Sequence, residues 1–132
     1  MKKPLYYALV LFIGIVLGGC KHDAVDTLEG AYGATQNGKI EPVIKVEKAG
    51  AGYVFDDYQN GNWRTGADVV ERATKEEFEK LIGAPVNGPF IGLKTKMVLV
   101  AKVQPGFTAG KFKTSTGYLM VFVFGPVELT KL

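Results

Sequence analysis

The sequence predicts a mainly β domain, a small antiparallel barrel-like or sandwich fold with one short helix near residues 74–82. Three observations lead there. Asn37-Gly38 and Asn60-Gly61 are hairpin signals, because both residues of each pair accept the positive φ that tight two-residue turns require. Ile44 and Val46 alternate with Lys45 and Glu47, the two-residue period of a half-buried strand. The run over residues 118–124, Tyr-Leu-Met-Val-Phe-Val-Phe, is apolar on both faces, as in a strand lying under a helix or enclosed in a sandwich or barrel.

The elements follow in order. Residues 40–48 form a strand, Ala49-Gly50-Ala51-Gly52 a turn, and residues 53–58 a second strand that Asn60-Gly61 folds back into Asn62-Trp63-Arg64. The helix is marked by Thr74-Lys75-Glu76-Glu77, a capping-box pattern with Thr74 as N-cap and Glu77 three residues on. Phe78, Leu81 and Ile82 share one face, Gly83 suits the C-cap and Pro85 bars continuation. A helix of two turns is too short to stand alone and must dock on the sheet. Strands are then expected over 90–93, 97–103, 107–113, 118–124 and 127–132, giving about eight short strands in all.

The amino end has a different character. Met1-Lys2-Lys3 is basic, and residues 5–16 are an apolar run too short for a transmembrane helix, which needs roughly 20 residues. By composition this fits either a cleaved export signal or a short anchor. Leu17-Gly18-Gly19-Cys20 resembles the bacterial lipobox: an aliphatic residue, two small residues, then cysteine. That resemblance covers the first twenty residues and implies a lipoprotein. Cleavage would fall between Gly19 and Cys20, with acyl chains (palmitate among them) on Cys20. More than one chain holds a protein stably on a membrane, where a single chain is marginal. Lys21 departs from the aspartate that resembles an inner-membrane retention signal. In a Gram-negative source this implies the outer membrane, facing the periplasm. The chain then divides into residues 1–19 (signal), 20–29 (lipidated cysteine and polar tether) and 30–132 (one β-rich domain). Residues 30–132 resemble no recognised family.

Composition narrows the function. Cleavage before Cys20 leaves 113 of the 132 residues, with fourteen basic against thirteen acidic, so the net charge of +3 belongs largely to the removed segment. Scattered lysines, two arginines and export argue against nucleic acid. With one cysteine there is no intrachain disulfide, and the domain relies on its hydrophobic core.

No catalytic residue, metal site or cofactor is assigned. The mature chain has one serine, Ser115, and one histidine, His22, which lies in the tether away from any serine-activating position. Asp56, Asp57, Asp68 and Glu71 leave a two-carboxylate hydrolase open, though no spacing selects a pair. Asp56 to Gly61 departs from a calcium loop, with Tyr58 at the third position and Ala67 at the twelfth, and reads better as a strand entering a hairpin.

Tyr58, Trp63 and Arg64 form a candidate binding patch, because Trp, Tyr and Arg dominate recognition hot spots. The alternative is Trp63 as a core anchor. Residues 114–117 (Thr-Ser-Thr-Gly) and Gln104-Pro105-Gly106 are candidate rim loops or plain turns.

Three functions compete. The first is a non-catalytic binding module with a periplasmic protein partner, such as an inhibitor or immunity protein against an envelope-attacking enzyme. The second is a small-ligand or lipid-binding barrel with a cavity lined by Phe90, Leu99 and Phe122, or an envelope-assembly accessory. The third is an enzyme.

Overall fold

A computed structural model describes residues 24–132. Gly19, Cys20, Lys21 and His22, and with them the signal and lipidation site, lie outside the described residues.

The chain runs through a 3-10 helix (Ala24–Leu28), β1 (Gly30–Gln36), β2 (Lys39–Ala49), β3 (Gly52–Gln59), β4 (Asn62–Thr65), β5 (Glu71–Arg72) and α1 (Lys75–Ile82). It continues through β6 (Ile91–Lys94), β7 (Leu99–Lys102), β8 (Thr108–Ala109), β9 (Phe112–Lys113), β10 (Tyr118–Phe122) and β11 (Gly125–Lys131). Nine strands form one antiparallel sheet in the order β4-β3-β2-β1-β11-β10-β7-β6-β5, curled into a half-barrel; β8 and β9 pair separately. The first and last long strands meet near the middle of the sheet, where Tyr32 faces Lys131 and Gly33 faces Thr130.

The expected local chemistry is present where the sequence is most explicit. Asn37 (φ 53°) with Gly38 (φ 79°), and Asn60 (φ 51°) with Gly61 (φ 82°), turn their hairpins with both residues left-handed. The Thr74 side chain accepts from the Glu77 amide at 3.1 Å, and Glu77 accepts from the Thr74 amide at 2.8 Å. Gly83 ends α1 in the left-handed region.

Two cores lie on opposite faces of the sheet. Inside the curl, Tyr32, Ile44, Val46, Phe55, Leu93, Val100 and Leu129 pack together. The second core lies outside, where α1 lays Phe78 over Leu99, Ala101, Leu119 and Val121. β10 serves both: Leu119 and Val121 face the helix, while Tyr118 and Met120 face the interior. That double burial is what its unbroken apolar sequence demanded.

Three expectations need correction. Residues 24–28, read as tether, form a 3-10 helix that puts Val25 and Leu28 fully inside the inner core. Two apolar side chains three apart in a polar run are enough to seat one such turn. Asp26 locks it further, accepting from the Tyr53 hydroxyl and lying 3.3 Å from the Lys48 ammonium. Residues 107–113 are a small hairpin about Gly110 (φ 60°), not one strand. The run 118–124 ends early: β10 stops at Phe122, Val123-Phe124 is a two-residue turn, and Phe122 faces Gly125. Gly125 therefore opens β11 and does not merely interrupt the chain.

Candidate functional site

One face of β2, β3 and β4 carries side chains that belong to neither core. The register places Lys45 opposite Asp56 and Asp56 opposite Thr65, with Tyr58 opposite Trp63, so these five side chains share it. Tyr58 and Trp63 meet edge to face with ring centroids 5.0 Å apart. The Lys45 ammonium lies 5.9 Å from the Trp63 ring centre. Trp63 belongs to neither core and is half-buried on this surface, so the core-anchor alternative fails. Arg64 is not part of the patch. As Trp63's neighbour on a strand it points to the opposite face, across from Asp57.

Beside the aromatic pair lies a feature the sequence did not reveal. Asp56 is only 2% exposed although it sits on the outer face, and its Oδ1 has no hydrogen-bond partner. Burial raises its pKa above the usual carboxylate range, and its hydrogen bond with Glu47 raises it further, against an opposing bond from Thr65. Glu47 moves the other way, held low first by that hydrogen bond from Asp56 and then by Lys45, 3.6 Å away. Of the two, Asp56 therefore holds a proton more tightly than Glu47 does. The signal available in sequence was only Asp56's place, between Phe55 and Asp57 on a strand with aromatic neighbours.

The other carboxylates are dispersed. Asp68 and Glu71 line one shallow groove with Lys94 and Lys96, and Lys96 stands 3.9 Å from Asp68. Asp56 and Asp57 are on opposite faces of β3. Asp56 to Gly61 is a strand running into a hairpin, as expected.

The loop of residues 114–117 is pinned in place. Glu128 Oε2 accepts from the Ser115 amide at 2.6 Å, the Thr116 amide at 3.1 Å and the Thr114 hydroxyl at 3.0 Å. The Ser115 hydroxyl also donates to it, at 3.2 Å. Burial works to raise the Glu128 pKa, but these hydrogen bonds outweigh it and hold the group below its ordinary value. Gly117 closes the loop at φ 85°, where a Cβ would come within 2.5 Å of the Val103 carbonyl. The Gln104-Pro105-Gly106 loop is tied to the same structure, the Gly106 amide donating to the Thr114 carbonyl at 2.8 Å. Both segments are held in place by hydrogen bonds within the fold.

Phe90 and Leu99, expected to line a ligand cavity with Phe122, instead fill the second core. Phe90 packs at a tilt against Phe78, ring centroids 5.1 Å apart, and Leu99 is 4% exposed. Phe122 is half-buried beside an open groove of about 400 Å³ at the end of α1, which Leu99 also borders and Phe90 does not. Among the described residues no cluster of three His, Cys, Asp or Glu side chains could hold a metal, and no helix is long and apolar enough to cross a membrane.

No protein-family model matches the chain, and no curated protein and no solved structure matches it significantly.

Proposed function

We propose that the chain is a lipid-anchored protein of the bacterial envelope, facing the periplasm, that works as a non-catalytic binding module. The reading extends to an inhibitor or immunity protein against an enzyme that attacks the envelope. Support for the location is Leu17-Gly18-Gly19-Cys20 behind a basic, apolar leader. Support for binding is the Tyr58–Trp63 pair, an aromatic platform outside both cores with a lysine beside it, Tyr58 exposed and Trp63 half-buried. Aromatic side chains on a fixed strand offer large contact area at small entropic cost. That platform is the observation on which the reading stands.

Mass spectrometry of the native protein tests the location: a chain beginning at Cys20 with diacylglycerol and acyl mass is expected, and an intact Met1 chain with a free thiol would refute it. Affinity purification from detergent-solubilised envelope at near-physiological salt tests the binding. Wild type is expected to recover a partner that Tyr58→Ala/Trp63→Ala loses by tenfold or more, on the order of 1.4 kcal/mol. Equal recovery by both proteins, or none by either, removes this face from the account.

A further inference from the structure

The most exposed apolar side chains described are neighbours at one hairpin tip. Phe124 is 90% and Val123 83% exposed. Nothing in the turn requires them. The Asn37-Gly38 and Asn60-Gly61 hairpins also reverse in two residues, both left-handed and polar or glycine, whereas Val123 and Phe124 turn without positive φ ahead of Gly125 (φ 112°). Phe124 leans edge-on against Phe122, with centroids 5.8 Å apart. Leu81 at the end of α1 and Met97 before β7 are also more than half exposed, and with Phe122 and Val123 they line the groove beneath the tip. The charged residues lining that groove are Lys94 and Lys96, with no acidic residue among them. Lys94 is held by Glu77; Lys96 lies 3.9 Å from Asp68, but its side chain is 79% exposed, so the pair is open to solvent.

We propose that the Val123–Phe124 tip inserts into the interfacial region of an anionic lipid surface, with Lys96 at the headgroup level. A protruding apolar pair with a basic rim suits a fluid, negatively charged interface. It suits a second copy of this chain poorly, since that would oppose lysine to lysine.

Taken with the lipid anchor, on which this part rests, the tip makes a second point of attachment. Lys131, at the far end of β11 from the tip, donates to the Thr27 carbonyl of the 3-10 helix at 2.9 Å. The anchored end and the tip are therefore separated by about the length of β11, roughly 20 Å. Four residues, from Cys20 to Ala24, reach at most about 14 Å. That is slack enough for the domain to lie on its side with both ends at the surface.

The chain from residue 20 contains both cores, so Cys20→Ser in that chain tests the tip without the anchor. Flotation with phosphatidylethanolamine–phosphatidylglycerol vesicles is expected to carry it. Phe124→Ser should lower the partition coefficient about tenfold at unchanged thermal midpoint. Lys96→Glu should weaken binding to these vesicles and not to phosphatidylcholine. A fluorophore on Val123→Cys in the same chain should shift to the blue on the anionic vesicles, and one on Asn60→Cys should not. Absence of flotation, equal flotation of Phe124→Ser, or a water-like spectrum at position 123 overturns the proposal. So does a tip that becomes shielded only against an acidic protein segment. A free Cys20 thiol in the native protein would remove the anchor and leave this test intact.

Discussion

Asp56 and Glu128 are two carboxylates solved in opposite ways by the same fold. Glu128 is surrounded by donors and sits below its ordinary pKa, so its contribution to stability is present above the unfolded value of about 4.3 and is lost as the pH falls through the lower folded value. Asp56 is buried against another carboxylate and sits above its ordinary pKa. The unfolded chain releases that proton first, so this group costs stability as the pH rises from about 3.9 through its folded value. Asp56→Asn keeps the shape, gives Glu47 an N–H donor and removes the second slope. Urea titrations from pH 3 to 8 should find it more stable than wild type at neutral pH by about 1 kcal/mol, with the difference vanishing in acid. An equal or lower stability at pH 7 would mean that the fold does not raise the Asp56 pKa. Neither arrangement was legible beforehand. A sequence shows that Asp56 is a carboxylate, but burial and partners come from strands paired at a distance, and Glu128 meets its donors thirteen residues away.

At the scale of elements, legibility followed how local the cause was. The Asn-Gly hairpins, the strand through Ile44 and Val46, and α1 with its caps all depend on residues within one turn or one strand, and all appear where expected. Thr74→Ala should cost about 1 kcal/mol, read as a lower denaturation midpoint, because it strips one half of a reciprocal cap. Elements decided by tertiary packing were misread. Residues 118–124 looked like one buried strand because apolar composition reports burial and not chain direction. Its last two residues are in fact a turn in water. Residues 24–28 looked like tether because only two of their side chains are large and apolar, and the pocket that receives them is built by strands far along the chain. The candidate patch was half legible: Tyr58 and Trp63 meet because the hairpin register is fixed by its turn, and Arg64 is excluded by alternation along a single strand.

For the molecule as a whole, the 3-10 helix is part of the inner core and not an appendage to it. Leu28 is fully buried within the inner core, and its carbonyl accepts from the Tyr32 hydroxyl at 2.6 Å. Leu28→Ala should destabilise the whole domain by about 3 kcal/mol in urea titration, where a tether residue would cost almost nothing. Lys131 fastens the same helix from the other end of the sequence, and β11 supplies Leu129 to the interior. The two extremities of the domain are thus stitched to each other. The interior is sealed only when β11 docks, since contacts spanning about a hundred residues form late. Until that strand docks, the inner core lacks Leu129 and the 3-10 helix lacks its clasp, so the domain closes as one unit and not piece by piece.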